Sequence, residues 1–520
     1  MSSAPFRIAL VPLDERPVNT RYPQMLGAIA GAKVLLPPSA IAGRQRVPAD
    51  TQAVGSWLEK AASEADAIVA SADYLCYGNL INARISNDSS ADVLPRLKPL
   101  EAAGNAEKPV YAFGLITRVS NADDPVEEPT YWATYGTRFY KLSQILHRAD
   151  AGKPEPGDAE TEARLRAELP ADLVSDWLVR RLRNHTINLA LMDLLARNRL
   201  SFLLLTSDDT SAWGMPSREK AWLEGWARLL GPTAQNRLML HPGADEVGSA
   251  LVARLVCERN GLAPRVYPMY AVPGGEEIVA PYEDRAVRLT VEGQIRACGG
   301  TVTDNPNDAD VILGVLTPSP RRTEFRTDFA DSERREREGY YRALFAQLGA
   351  WQQAGRPVAL GDVAYPNGAD PLAMELLLSP DCPLDPAQLL AWGAWNTAGN
   401  TLGVVVAQAF CALLLQNDPA RAQAQAMFLA HRFLEDWGYQ AVVRREARAA
   451  NVQAFGTRDP NPDDAAQVAT AAGFVETGLR NALQTLQQRG IGRGLTLAPG
   501  SVRLPWRRTF EVDFDLAFSS

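Results

Sequence analysis

Short runs of apolar residues alternate along most of the chain with longer stretches in which apolar residues recur every three or four positions. The short runs predict strands, the longer stretches predict helices, and their alternation is typical of βα units that build a mostly parallel sheet. Strands are predicted near residues 7–13, 34–36, 67–70, 110–116, 202–206, 238–241, 266–269, 311–316, 357–361 and 389–392. Helices are predicted between them, for example at 172–198 and 336–353.

The predicted fold class is therefore α/β with a mostly parallel sheet. Either the first part closes into a (β/α)8-barrel-like domain or it is doubly wound, and an additional α/β lobe follows in both cases. We favour the barrel-like first part, although ten strands exceed the eight of a simple barrel. The expected domains are an N-terminal α/β domain at 1–260, a second α/β lobe at 261–415, and a C-terminal helical region with a terminal strand at 416–520. The segment 150–171, rich in Ala, Glu, Pro and Gly, predicts a polar insertion.

The composition of the chain argues against several classes of protein. The 520 residues carry a formal net charge of −8, which argues against nucleic acid as a partner because phosphate binding needs a basic surface. The five cysteines lie far apart without a CxxC pair, so neither a disulfide framework nor a zinc knuckle is predicted. Apolar runs stay shorter than the roughly 18 residues of a membrane span, and the N-terminus lacks a signal-peptide pattern, so we expect a cytoplasmic protein.

The densest polar cluster follows the apolar run 202–206 and contains Asp208, Asp209 and Trp213. Ligands bind at the carboxyl ends of strands in α/β folds, so this cluster predicts a catalytic site. Two neighbouring carboxylates have split pKa values, and glycoside hydrolysis requires this division between a protonated and an ionised group. Trp213 could stack on a sugar ring. The structural alternative is that the aspartates only cap the following helix.

Other apolar runs also end in carboxylates, amides and aromatic rings, which together suit a hydroxyl-rich ligand. After the first run, Pro17 disfavours a helical conformation at Arg16 and keeps that loop extended. The structural alternative for all these side chains is internal ion pairing, turn capping or core packing. The residues predicted to bind substrate, besides Trp213, are Asp14, Glu15, Arg16, Asn19, Asp73, Tyr77, Arg118, Asp245, Glu246, Asp362, Asn367, Asp370, Trp395, Asn396 and Asn400.

Seven short motifs carry a resemblance to a known family. They are Leu13-Asp-Glu-Arg-Pro-Val-Asn19, Tyr77-Gly-Asn-Leu, Glu128-Pro-Thr-Tyr131 with Tyr135-Gly136, Ser207-Asp-Asp-Thr, Gly243-Ala-Asp-Glu246, Asn367-Gly-Ala-Asp370 and Trp395-Asn-Thr-Ala-Gly-Asn-Thr401. With these motifs, which run over most of its length, the chain resembles a bacterial family catalogued as domain of unknown function 4127.

A second resemblance concerns a single motif. A strand that ends in paired aspartates before a helix is similar to the catalytic turn of barrel β-N-acetylhexosaminidases, which use the acetamido group of the substrate as the nucleophile. That likeness implies that Asp208 orients and polarises the acetamido group and that Asp209 is the general acid.

The leading hypothesis is a glycoside hydrolase that uses Asp208 and Asp209 on a small glycoside, with a 2-acetamido sugar as a candidate. One alternative is a metal-dependent hydrolase of esters, amides or phosphates with Asp14, His241, Asp245 and other strand-end carboxylates (Asp208 and Asp362) as ligands. No HxH, HxxxH or HxxE spacing supports it, so neither a metal nor a cofactor is predicted. Another alternative is a non-catalytic sugar-binding protein. The expected partner is a small-molecule carbohydrate, and the oligomeric state is left open.

Overall fold

All ten apolar runs predicted as strands form strands, within a few residues of the predicted bounds, in the computed structural model of the protein. The structure describes residues 5–105, 108–234, 236–318, 331–415 and 417–519. The strands are β1 (Phe6–Val11), β2 (Ala32–Leu35), β3 (Ala67–Ser71), β4 (Val110–Ile116), β5 (Phe202–Ser207), β6 (Leu238–Pro242), β7 (Arg265–Tyr270), β8 (Thr301–Val302), β9 (Val311–Leu316), β10 (Val358–Asp362), β11 (Ala391–Gly393), β12 (Leu495–Leu497) and β13 (Leu516–Phe518).

Helices connect most of these strands, as the alternating pattern predicts. The α-helices are α1 (Pro17–Ile29), α2 (Thr51–Glu64), α3 (Ala72–Tyr77), α4 (Leu80–Ile85), α5 (Ser90–Val93), α6 (Lys98–Ala103), α7 (Trp132–Asp150), α8 (Asp158–Glu168), α9 (Ala171–Ala196), α10 (Met215–Leu230), α11 (Val247–Arg259), α12 (Val287–Ala297), α13 (Asp331–Gln353), α14 (Pro371–Leu377), α15 (Ala398–Ala412), α16 (Pro419–Arg432), α17 (Arg444–Phe455) and α18 (Ala465–Gln488). A π-helix, Phe433–Val443, joins α16 to α17.

The first of two units contains the residues up to Glu15, Ala32–Leu251 and Tyr282–Asp284. Its sheet has six parallel strands in the order β2-β1-β3-β4-β5-β6. Every residue of β3, β4 and β5 is buried, because helices cover both faces of a sheet of this kind. The strand order changes direction between β1 and β3, and in doubly wound sheets ligands bind beside such a point.

The prediction of a barrel-like first part is wrong, and the doubly wound alternative is confirmed. Within the described residues, the edge strands β2 and β6 each pair with a single neighbour, so the sheet is open. Both architectures bury a parallel sheet on two faces and produce the same apolar runs. The difference is the pairing of the first and last strands, which depends on contacts between residues far apart in the sequence.

The polar segment 150–171, predicted as an insertion, contains the helix α8. Arg148 Nε donates a hydrogen bond to Asp158 Oδ2 at 2.8 Å and anchors the start of this helix to α7. The segment is polar because most side chains of α8 are exposed.

The second unit contains Arg16–Gly31, Val252–Pro281 and the residues from Arg285 onward. Its five parallel strands have the order β11-β10-β9-β7-β8. The first strand along the chain, β7, therefore has β8 on one side, and β9, β10 and β11 follow in turn on its other side. The first five strands of the other unit have the same order, and the two units therefore repeat one topology. The short strand β8 was missed because two exposed residues leave no periodic signal.

The C-terminal part of the second unit is mostly helical and ends in a small antiparallel sheet. The predicted tail strand is confirmed as β13, which pairs with β12 and places Ala517 opposite Thr496. Buried side chains of α18 and of the π-helix share one hydrophobic core with the sheet. The domain boundaries expected at residues 260 and 415 stay a prediction.

Candidate active site

The carboxyl ends of the parallel strands of the first unit lie along one edge of its sheet. The segments that follow the strands at this edge carry ten of the predicted residues: Asp14 and Glu15 after β1, Asp73 and Tyr77 in the helix α3 after β3, Arg118 after β4, Asp208, Asp209 and Trp213 after β5, and Asp245 and Glu246 after β6.

Asp208 and Asp209 leave the end of β5 in different conformations. The backbone N–H of Asp208 donates to the carbonyl of Ile116 at 3.2 Å, so Asp208 continues the pairing with β4. Asp209 has a φ of 33°, a left-handed conformation that Asp adopts more readily than most residues. The side chain of Asp208 is 11% exposed and that of Asp209 is 29% exposed. Two neighbouring carboxylates therefore occupy unequal environments.

Each aspartate is bound by its own arginine. Arg84 Nη2 donates to Asp208 Oδ2, and Arg118 Nη1 donates to Asp209 Oδ2 at 2.7 Å. The helix α10 begins at Met215, well past Asp209, and Gly214 occupies its N-cap position. Neither aspartate therefore caps this helix, and the structural alternative considered for them does not apply.

Two glutamates bridge the arginines and complete what we term the aspartate site, comprising Arg84, Arg118, Glu127, Glu128, Asp208 and Asp209. Glu127 Oε2 accepts a hydrogen bond from Arg84 Nη1 and another from Arg118 Nη2, both at 3.0 Å. Glu128 Oε1 accepts from Arg118 Nε at 3.0 Å. Two guanidinium groups thus face four carboxyl groups, and acid groups exceed bases by two.

Two carboxyl groups of the aspartate site have raised pKa values. Burial, and then the negative charge of Asp208, raise the pKa of Asp209 above its usual range, against the opposing effect of Arg118. Burial also raises the pKa of Glu128. Beside them, burial raises the pKa of Asp73 to about 7, and Asp208 adds to that shift. Asp209 and Glu128 therefore keep a proton to a higher pH than free carboxyl groups do, and the neighbouring Asp73 can keep one near neutral pH.

Sequence reasoning did not select Arg84, Glu127 or Glu128 as site residues. Arg84 is the one charged residue of the short helix α4, and its side chain is buried with the apolar residues around it. A lone arginine in a largely apolar segment is the signal that could have identified it, because buried charges are almost always paired.

The loop between Asp209 and α10 is held by α7. The half-buried ring of Trp213 packs edge-on against His147, with 5.0 Å between ring centroids. The backbone N–H of Gly214 donates to His147 Nδ1 at 3.1 Å. A cavity of about 20 Å³, room for one water molecule, borders Arg84 and Arg118. This cavity is much smaller than the cavities that hold small molecules.

Other predicted residues of the first unit make local structural contacts. Glu15 Oε1 accepts a hydrogen bond from the backbone N–H of Gln45 at 2.6 Å, and Glu246 Oε2 accepts from that of Ala244 at 2.9 Å. Both glutamates thus hold a loop in shape. The side chains of two further predicted residues are buried: Asp14 and Asp245.

Two predicted residues after β3 are also buried. Asp73 Oδ2 accepts from the backbone N–H of Leu115 at 2.9 Å and ties α3 to β4. The Arg183 guanidinium lies over the ring of Tyr77, 4.5 Å from its centroid. Of these two, Asp73 is the one whose pKa responds to the aspartate site, because the charge of Asp208 raises it.

The remaining predicted residues belong to the second unit: Arg16, Asn19, Asp362, Asn367, Asp370, Trp395, Asn396 and Asn400. The acids among them form a structural network. Asp370 caps α14 by accepting from the backbone N–H of Leu372 at 2.9 Å, and Tyr341 Oη donates to its other oxygen at 2.6 Å. Asp362 Oδ2 accepts from the backbone N–H of Asp370 at 2.7 Å.

Three predicted residues after β11 also stabilise the fold. Trp395 is buried against Phe510, with 6.3 Å between ring centroids. The carbonyl of Asn396 accepts from the backbone N–H of Asn367 at 3.0 Å. Asn400 is buried in the first turn of α15.

The two predicted residues near the start of α1 are buried as well. Arg16 Nη1 lies 3.2 Å from Glu511 Oε1, and its guanidinium lies 4.5 Å from the centroid of Trp506. Asn19 is buried within α1. Of the residues predicted in this unit, Asn367 lines a cavity of small-molecule size.

Within the ranges that the structure describes, no three His, Cys, Asp or Glu side chains are grouped so that they could hold a metal ion. In the same ranges, no helix has the length and apolar character needed to cross a membrane.

The fold and the aspartate site define an α/β protein with two doubly wound units and a cluster of paired carboxyl groups at a strand end. The chain belongs to the family described as protein of unknown function, DUF4127, whose profile matches residues 8–515. No curated protein matches the chain.

Proposed function

We propose that the protein is a glycoside hydrolase in which Asp209 is the general acid. The observation that carries this proposal is the unequal environment of two adjacent aspartates. Asp208 is more deeply buried and is bound by Arg84, whereas the Asp209 side chain is partly exposed and its pKa is raised by burial of the carboxyl group and by the charge of Asp208. Glycosidases assign different protonation states to two carboxyl groups by such differences in environment.

The chemical step follows from these positions. Asp209 would donate its proton to the glycosidic oxygen while the bond from this oxygen to the anomeric carbon breaks and its electron pair stays on the oxygen. On a 2-acetamido sugar, the acetamido oxygen would attack the anomeric carbon, and the Asp208 side chain would stabilise the positive charge that develops on the acetamido group. Water would then open this intermediate and return a proton to Asp209.

Arg118 would act as a positioning residue for this acid. Its three guanidinium nitrogens contact Asp209, Glu127 and Glu128, so the fork is fixed in orientation. A fixed fork restricts the Asp209 carboxyl group to one geometry, and such preorganisation supports proton transfer in the transition state.

The test is hydrolysis of a panel of aryl glycosides, including 2-acetamido sugars, by the wild type, Asp208→Asn and Asp209→Asn. Asp193→Asn is the matched control. It also removes a carboxylate that accepts from an arginine, Arg197 Nε at 2.8 Å, but it lies on α9 shortly before the amino end of β5. We expect turnover of at least one glycoside by the wild type and the control, and a decrease in both site variants.

Full activity of both site variants on a glycoside that the wild type hydrolyses would contradict the assigned roles. Failure to hydrolyse any member of the panel, with a protein that is folded by circular dichroism, would contradict the glycosidase proposal. Tight binding of a sugar without turnover would instead favour the sugar-binding alternative.

A further inference from the structure

A cavity of about 540 Å³ opens in the second unit beside the loop after β10, the end of the π-helix and α17. This volume is typical of small-molecule sites. We term it the arginine pocket, because its polar lining consists of Asn367, Gln440, Arg444, Arg445, Arg448 and Arg458. Among the described residues that line it, four are arginines and none is acidic.

Two of these arginines lie one helical turn apart. Arg444 and Arg448 occupy positions i and i+4 of α17, where like charges repel each other. Arg444 Nη1 donates to Gln440 Oε1 at 2.9 Å, and the guanidinium lies 4.8 Å from the centroid of Phe510. Its Nε is buried and has no hydrogen-bond acceptor in the described part of the chain. Burial, and then the charge of Arg448, lower the pKa of Arg444 to about 10.

Carboxylates near the pocket are engaged elsewhere. Asp459 Oδ2 lies 3.7 Å from Arg448 Nη2, but Asp459 Oδ1 accepts from the backbone N–H of Thr509 at 2.7 Å. Glu511 Oε1 lies 3.0 Å from Arg508 Nη2 and is also bound by Arg16. Of the four pocket guanidinium groups, Arg448 alone lies within ion-pair distance of a described carboxylate, and Glu511 and Asp459 act on Arg444 only through their charge. The lining of the pocket therefore carries more positive than negative charge.

We propose that the arginine pocket binds the phosphoryl group of a small molecule. A phosphoryl dianion offers three acceptor oxygens and two negative charges, which match several guanidinium forks better than a single carboxylate does. The ligand is small, because the site is a cavity and the net charge of −8 disfavours a long polyanion. Free inorganic phosphate and a phosphate ester share this chemistry, and the experiment distinguishes them.

The test is isothermal titration calorimetry of the full chain at constant ionic strength with inorganic phosphate, glucose 6-phosphate, glucose and citrate. The variants are Arg445→Gln and Arg458→Gln, which change exposed side chains and leave the core intact. Arg493→Gln is the matched control, since it removes the same charge from an exposed position outside the pocket. We expect saturable binding of a phosphoryl compound by the wild type and the control, and affinity weakened about 10- to 100-fold in each pocket variant.

Tighter binding of glucose 6-phosphate than of inorganic phosphate supports an ester as the ligand, and equal affinity supports free phosphate. Three results would overturn the proposal: no saturable binding of either phosphoryl compound up to about 10 mM, stronger binding of citrate than of both, or unchanged affinity in Arg445→Gln and Arg458→Gln. A decrease of the same size in Arg493→Gln would show a general charge effect and would overturn it as well.

Discussion

The aspartate site of the first unit and the arginine pocket of the second contain the same kinds of side chain in opposite proportion. In the aspartate site, two guanidinium groups are surrounded by four carboxyl groups. In the arginine pocket, four guanidinium groups line the cavity, and among the described residues one of the four, Arg448, lies within ion-pair distance of a carboxylate. The first arrangement favours bound protons, and the second favours a bound anion.

The comparison also separates two roles of arginine. Arg84 is surrounded by carboxyl groups and cannot leave them without exposing buried charge, so it is part of the folded framework. Arg445 is exposed and makes no ion pair with a described residue, so the folded state depends little on it. The predicted effects of substitution therefore differ in size and in sign.

The largest effect is expected for Arg84→Gln. This change leaves Asp208 and Glu128 without one of their cations, and breaking a buried ion pair in this way costs about 3–5 kcal/mol of unfolding free energy. Urea denaturation near neutral pH measures the loss. Arg197→Gln, which breaks an exposed pair with Glu101, is the control and should cost less than about 1 kcal/mol. Equal losses in the two variants would remove the distinction between framework and surface arginines.

A second effect concerns pH. Burial raises the pKa of Asp73 to about 7, so its contribution to stability is fully present below about pH 4 and is lost as pH rises through about 7. Asp73→Asn cannot ionise, and we expect its unfolding free energy relative to the wild type to increase by about 2–4 kcal/mol across this range.

The control for this pH effect has the opposite sign. Hydrogen bonds from Arg148 lower the pKa of Asp158 to about 2, so its contribution is present above about pH 4 and is lost as pH falls through about 2. Chemical denaturation of Asp73→Asn, Asp158→Asn and wild type at several pH values measures how the unfolding free energy of each variant, relative to the wild type, changes with pH. If this pH dependence were the same in the two variants, burial could not be the cause of the raised pKa of Asp73.

The smallest effect is expected for Arg445→Gln. Removal of an exposed, unpaired charge from the arginine pocket should change the unfolding free energy by less than about 0.5 kcal/mol, with a slight gain at low salt because repulsion decreases. Urea denaturation of the variant and the wild type at low and high salt, without phosphate, measures this change in unfolding free energy. A loss above about 1 kcal/mol would show that this arginine supports the fold.

The sequence pattern predicted the strands well because each buried parallel strand is a local run of apolar residues. Val110–Ile116 and Val311–Leu316 were predicted at their observed bounds. The pattern could not show whether the sheet closes, since closure is a contact between distant segments. It also gave no indication of the π-helix Phe433–Val443, whose residues are as apolar as those of an ordinary buried helix.

Site residues were harder to predict than strands, because similar strand ends serve different purposes. Asp209 and Asp370 both follow an apolar run, yet Asp370 caps a helix and binds Tyr341, whereas Asp209 binds Arg118 at the rim of a strand end. The difference lies in partners from distant parts of the chain. Arg84, whose partner Asp208 is 124 positions away, shows why the arginines of the aspartate site could not be assigned from spacing alone.

The most direct test of the account is the leaving-group dependence of kcat/KM for one glycoside series that the wild type hydrolyses, compared between wild type and Asp209→Asn. A general acid matters most when the leaving group is a poor one. The account predicts that Asp209→Asn loses about 10²- to 10⁴-fold with the poorest leaving group and little with the best. An equal loss across the whole series, or none, would contradict the role of Asp209 as the proton donor.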